Sequence, residues 1–84
     1  MNSVQLRAAR ALLGWTAQKL AERANVHLST VQRMEQCHGP VRGNVASLDA
    51  VLEALRGEGI ELFSETGRIG VILNIDNGAR SWTD

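Results

Sequence analysis

"TAQKLAERANVHLSTVQRMEQ", residues 16–36, is the stretch that decides how this chain folds. Thr16 stands where a helix N-cap belongs, and Leu20, Ala21 and Ala24 recur behind it at helical spacing. Ala21 is small, as two closely crossing helices require. Asn25 follows where the chain must turn sharply, and asparagine tolerates the left-handed backbone better than most residues. Val26 then points back toward the interior. From Leu28 to Gln36 a second helix buries Val31 and Met34, three residues apart. That spacing leaves Ser29, Gln32, Arg33 and Gln36 on or near the outward face, with Thr30 packed or partly buried. Two short helices are thus joined with almost no loop, and the second holds polar side chains outward.

Working outward, Leu6, Ala9 and Leu13 predict a helix over residues 3–13, with Ser3 as its N-cap and Gly14 as its end. Trp15 packs where that helix turns. "CHGPVRGN", residues 37–44, is a loop, because Gly39-Pro40 and Gly43 break any helix. Asn44 can cap a fourth helix, residues 45–56, whose apolar stripe is Leu48, Val51, Leu52 and Leu55. Gly57 and Gly59 close it. The period then changes from helical to alternating. "IELF" (60–63) and "RIGVILNI" (68–75) read as strands joined by "SETG". Ile69, Val71, Leu73 and Ile75 share one face of the second strand, with Gly70, Ile72 and Asn74 on the other. A lone hairpin is marginal in water, so these strands should pack on the fourth helix or pair with a second copy of the chain. The tail "DNGARSWTD", residues 76–84, reads as loose, with Trp82 as the side chain able to dock. The class is mainly α: four helices, then a β-hairpin.

A chain of 84 residues has room for one domain and a small core. Chains of this size bury only about 60–65% of their unfolded surface. The single cysteine, Cys37, excludes an internal disulfide, which leaves tight helix packing or oligomerisation as the means of support. One cysteine also suits a reducing, intracellular setting. No segment approaches the roughly 18 apolar residues of a membrane span, and "MNSVQLRAAR" has no signal-type run. The expectation is a soluble, cytoplasmic protein.

The net charge of zero hides an asymmetry. Residues 1–44 carry Arg7, Arg10, Lys19, Arg23, Arg33 and Arg42 against only Glu22 and Glu35. Residues 45–84 carry Arg56, Arg68 and Arg80 against Asp49, Glu53, Glu58, Glu61, Glu65, Asp76 and Asp84. A basic half and an acidic half suggest one face that meets a polyanion, although small domains also show such splits without function. Other chemistry finds little support. Cys37 and His38 are adjacent and His27 is distant, which is not the ligand set of a zinc site. There is no phosphate-binding glycine loop, dinucleotide fingerprint or HExxH. No metal, cofactor, small-molecule ligand or enzymatic activity is expected.

Two helices with a turn of three or four residues form a helix-turn-helix. The tight turn holds the second helix proud of the surface, where it can enter a major groove while the first crosses the backbone. The same geometry is also ordinary in helical bundles. The longer stretch "LRAARALLGWTAQKLAERANVHLSTVQRMEQ", residues 6–36, resembles the XRE/Cro/C1-type helix-turn-helix family of bacterial and phage regulators. The resemblance lies in Leu6 with Arg7 and Arg10, then "LGWT", "LAERA", a turn with valine, and "STVQRME". It continues through "GP" and "SLDAVLEAL" to about residue 62.

The resemblance implies a lambda-repressor-like DNA-binding domain over residues 1–59, usually dimeric, with the hairpin and tail of the same domain, residues 60–84, as the dimerisation element. It gives the third helix the recognition role. Leu28, Ser29, Gln32 and Arg33 fall at positions that touch base edges. Arg33 can give two hydrogen bonds to guanine, Gln32 can pair with adenine, and Leu28 can meet a thymine methyl. Phosphate contacts are expected from Gln18, Arg42 and Asn44, the last at a helix N-terminus with free N–H groups. Arg10 and Glu35 match a structural salt bridge between the first and third helices. Ile69, Val71, Leu73 and Ile75 are the expected dimerisation residues.

The chain departs from the family pattern in four places. Ala17 replaces a glutamine, Asn25 a glycine, His27 a Ser or Thr cap, and Cys37 a glycine. The function so implied is a sequence-specific regulator, a repressor before an activator, binding an inverted repeat of double-stranded DNA as a homodimer. Its two recognition helices would stand about 34 Å apart. The alternatives are the antitoxin of a toxin–antitoxin pair, or a protein-interaction module without DNA binding. Arg68, at the hairpin turn, is either a solvated turn residue or a further contact to phosphate or minor groove.

Overall fold

Asn2, not Ser3, starts the first helix. Its backbone is extended, and its side chain accepts from the N–H of Val4 at 2.9 Å. Gln5 reaches back to accept from the Asn2 N–H at 3.0 Å, completing a capping box. Ser3 is already helical and buried, and its own N–H is taken by the Gly39 carbonyl. The cap therefore falls one residue earlier than expected, because Asn2 and Gln5 form the box and Ser3 becomes the first helical residue.

The computed structural model describes residues 1–75, so the tail and Trp82 lie outside the described residues. The elements are α1 (Ser3–Leu13), α2 (Ala17–Ala24), α3 (Leu28–Glu35), α4 (Val45–Arg56), β1 (Ile60–Glu65) and β2 (Arg68–Leu73). Four helices precede an antiparallel hairpin, as the sequence predicts. The helix ends also follow local chemistry. Gly14 ends α1 in the left-handed region at φ +69°, and Thr16 caps α2 by accepting from the Lys19 N–H. Asn44 caps α4, its Oδ1 accepting from the N–H groups of Ala46 and Ser47.

The core is the sum of the inward stripes. Leu6, Ala9 and Leu13 of α1 meet Leu20 and Ala21 of α2, Val31 and Met34 of α3, Val51 and Leu55 of α4, and Ile60 of β1. Trp15 closes this core where α1 turns into α2. Val26, Leu48, Leu62, Val71 and Leu73 pack around its margin. Leu52 is half-buried rather than central.

The hairpin differs from its sequence reading in two respects. The first strand runs on to Glu65, pairing from Ile60↔Leu73 to Glu65↔Arg68, so only Thr66 and Gly67 remain as the turn, and the second starts at Arg68 as expected but ends at Leu73, short of Ile75. Gly67 adopts φ +83°, which a turn this short needs and which glycine tolerates without strain. Packing is also divided between two helices: β1 lies on α4, but β2 lies on α1. The clip between α1 and the hairpin is Gln5, only 3% exposed, whose Nε2 donates to the carbonyls of Phe63 (2.7 Å) and Gly70 (3.0 Å). Phe63 and Gly70 are cross-strand partners whose side-chain positions face away from α1, so the sheet has room on its inner face for an amide. On the outer face the Phe63 ring lies over Gly70, filling the space a side chain there would need.

Candidate nucleic-acid interface

The turn between α2 and α3 comprises Asn25, Val26 and His27. Asn25 adopts the left-handed conformation at φ +58°, the one non-glycine among the described residues with positive φ. Its N–H donates to the Glu22 carbonyl, and the Val26 N–H donates to that of Ala21, so two of the four carbonyls in the last turn of α2 are satisfied within the turn. His27 is extended and occupies the N-cap of α3, but its side chain makes no capping bond. The departure from a Ser or Thr at this position thus leaves the α3 N-terminus without a side-chain cap.

α3 is held to the body by Val31 and Met34, both essentially inaccessible. Ser29, Gln32, Arg33 and Gln36 are exposed, as the spacing predicts. Leu28 and Thr30 are half-buried, and Leu28 packs against the core margin. The Gln32 and Arg33 side chains form no hydrogen bond or ion pair with any described residue. Their donors and acceptors therefore face solvent, as groups that read a ligand must.

Behind α3 a cleft of about 300 Å³ is lined by Thr30, Arg33, Met34, Arg42, Gly43, Asn44 and Ser47. It brings the recognition helix, the loop cation Arg42 and the N-terminus of α4 into one place. The positive end of the α4 dipole points there, an arrangement that favours an anion. Asn44 is present, but its Oδ1 is committed to the cap, so only its amide nitrogen is free to donate. Gln18 lies exposed in the first turn of α2, where its Nε2 donates to Glu22 at 3.1 Å.

The cations of the helix-turn-helix half divide into two groups. Arg10 and Arg23 are structural. Arg10 Nε and Nη2 hold both oxygens of Glu35, at 2.5 and 2.9 Å, while Nη1 donates to the Trp15 carbonyl at 2.9 Å. The hydrogen bond to Glu35 holds the Arg10 guanidinium above its ordinary pKa, against an opposing effect of burial and with help from the Glu35 charge. Arg23 lies over the Trp15 ring, 5.5 Å from its centroid, and 4.0 Å from Glu58. Arg7, Lys19, Arg33 and Arg42 have no ion-pair partner among the described residues and project from the helix-turn-helix half. Arg68 is tied to Glu65 by Nε and Nη2 at 3.2 and 2.9 Å, which favours the turn-residue reading over a contact to DNA.

The four expected dimerisation residues do not share one environment. Val71 and Leu73 are half-buried against the chain's own core, whereas Ile69 and Ile75 are 42% and 47% exposed. Sequence reasoning also passed over the outer stripe of α1, Val4, Ala8, Ala11 and Leu12, and over Gln5. The first was legible as apolar residues at i, i+4, i+7 and i+8, the second as a capping-box spacing from Asn2. Among the described residues no group of three or more His, Cys, Asp or Glu is placed to hold a metal, and no helix is long and apolar enough to cross a membrane.

Comparison with known proteins agrees with this geometry. Residues 6–36 match the family model of the helix-turn-helix, a segment running from Leu6 in α1 through α2 and α3 to the C-cap Gln36. No curated protein matches the chain. The match spans the turn, the buried stripe of α3 and its outward polar face together, so over residues 6–36 the chain is similar to the helix-turn-helix family, a family of DNA-binding regulators, which supports the resemblance to the XRE/Cro/C1 type.

Proposed function

We propose that this protein is a sequence-specific transcriptional regulator, acting as a repressor and binding an inverted-repeat operator as a homodimer with α3 in the major groove. The observation that carries this reading is the division of α3: Val31 and Met34 fix the helix, while Ser29, Gln32 and Arg33 stand exposed. In this reading Arg33 and Gln32 read base edges, Ser29 gives a further polar contact, and Leu28 offers its half-buried edge to a thymine methyl. Arg42, the Asn44 amide and Gln18 hold phosphates on either side, which fixes register without reading sequence. Gln18 must exchange Glu22 for phosphate, a small cost because the pair is exposed. Repression follows from occupancy of the operator, which excludes polymerase.

The test is selection of bound sequences from a random duplex pool, run on wild type and Arg33→Ala. The wild type should enrich an inverted repeat. The variant should lose preference at one base pair per half-site, at about 1–3 kcal/mol for a bidentate pair. Enrichment of no sequence by either protein at moderate salt would remove this reading.

A further inference from the structure

Two features left unused by the monomer lie side by side. One is the outer edge of β2. Hydrogen-bonded and open pairs alternate along an antiparallel ladder. The Asn74 N–H donates to the Gly59 carbonyl at 2.8 Å, which sets the phase of that alternation. The even-numbered residues of β2 therefore bond to β1, and Ile69, Val71 and Leu73 turn their N–H and C=O groups outward. Among the described residues no group outside the hairpin pairs with them. From Ile69 to Leu73 this edge carries no charge, no proline and no bulge, the features by which edge strands ordinarily avoid pairing.

The other feature is the outer stripe of α1. Val4 and Leu12 are 52% and 41% exposed, with the small Ala8 and Ala11 between them. Together with Ile69, Gly70 and Val71 they line an open, apolar trough of about 460 Å³ between α1 and the β2 edge. Contiguous exposed apolar surface of this kind marks an interaction site in a small domain.

We propose that this trough and edge are filled by a second copy of the chain, with β2 pairing antiparallel to the partner's β2 about a two-fold axis at Val71. The proposal rests on the homodimer of the preceding section and gives it an interface. The edge is complementary to itself. Reversal about Val71 sets Val71 against the partner's Val71 and Ile69 against the partner's Leu73, so every outward group finds its complement. Any other two-fold centre leaves one of the three outward residues outside the paired segment. Arg68 meets the partner's Asn74, so no like charges oppose. An axis normal to the sheet keeps both copies of α1 on the same face, where each apolar stripe lies toward its mate. Ala8 and Ala11 leave space for close approach. Two marginal hairpins become one four-stranded sheet with the apolar edge closed. A peptide strand from an unrelated protein could satisfy the edge, but it would not bring a matching helix stripe.

The test combines sedimentation of the full chain with disulfide trapping in a Cys37→Ser background. The wild type should be a dimer, and Ile69→Lys should weaken it by about tenfold or more, since an edge lysine opposes strand pairing. Val71→Cys changes little in volume and should trap a disulfide-linked dimer on oxidation, because residues paired on the axis have Cα atoms about 5.5 Å apart. Ile69→Cys should not, because its two copies are about 13 Å apart. A wild-type monomer at micromolar concentration, a dimer indifferent to Ile69→Lys, or trapping at 69 as readily as at 71 would each overturn the interface. Fluorescence anisotropy on a single half-site separates this from the function. A monomer that still binds the half-site removes the interface and keeps DNA binding. A dimer with the expected trapping pattern that binds no duplex keeps the interface and removes the regulator.

Discussion

At Arg10 one guanidinium joins three parts of the chain: its own helix, the carbonyl of Trp15 at the α1–α2 turn, and Glu35 near the end of α3. Its side chain is 21% exposed and that of Glu35 13%, so neither is well solvated. Removal of one partner strands the other charge. Glu35→Ala should therefore destabilise the fold by about 3 kcal/mol, toward the low end for buried pairs because some exposure remains. A urea titration measures this directly. DNA affinity should recover at temperatures where the variant is folded; a loss of affinity in the folded variant would make Glu35 a binding residue and sink the structural role. The pH sign follows from Arg10. Its raised pKa means that its stabilising contribution is fully present below its ordinary value and is lost only as pH rises through the raised one, so this contribution is constant across the neutral range. Both residues were legible from the resemblance, and their burial and the third bond to Trp15 were not.

At the scale of elements, a single side chain among the described residues hydrogen-bonds the hairpin to α1, beside the apolar packing of β2 on that helix. Gln5 accepts from Asn2 at the helix start and donates to Phe63 and Gly70, so all its polar capacity toward the interior is used. Gln5→Leu should cost about 1–3 kcal/mol through these lost bonds, read as a lower urea midpoint and faster amide exchange in β1 and β2. Gln5→Glu should be worse at neutral pH, because a carboxylate would face two carbonyl oxygens, and should improve as pH falls and the carboxyl gains a proton. A Gln5→Glu variant as stable as the wild type at neutral pH would show that Gln5 acts only as a cap. The capping-box spacing of Asn2 and Gln5 was readable in the sequence. The hairpin clip was not, because its carbonyls lie roughly sixty residues away and depend on the register that leaves Gly70 opposite Phe63.

Across the whole molecule, charge is sorted by what the fold does with it. Of the cations in the helix-turn-helix half, Arg10 and Arg23 are spent on Glu35 and on Trp15 with Glu58. Arg7, Lys19, Arg33 and Arg42 are left without an ion pair among the described residues, and in the proposed reading are available to a polyanion. Affinity for duplex DNA should fall linearly on a logarithmic scale with salt, and Arg42→Ala should reduce that slope by about 1 per protomer while leaving the preferred sequence unchanged. A changed sequence preference in Arg42→Ala would move that residue from phosphate to base.

What the sequence determined by itself is local. Helical spacing, the caps Thr16 and Asn44, the stops at Gly14 and Asn25, and the switch to alternation at Ile60 each depend on a few neighbouring residues, and the elements fall where those residues put them. The outward face of α3 belongs to the same class, since burying Val31 and Met34 fixes where Gln32 and Arg33 must point. What only the tertiary structure decided is what each face meets. The Ser3 N–H at the start of α1 finds its acceptor in the Gly39 carbonyl, which arrives from a distant loop. β2 packs on α1 rather than α4, which turns Val71 and Leu73 inward and leaves Val4, Leu12 and Ile69 in the open. Periodicity shows that a face is apolar, but only the placement of the elements relative to one another shows whether this chain covers that face itself.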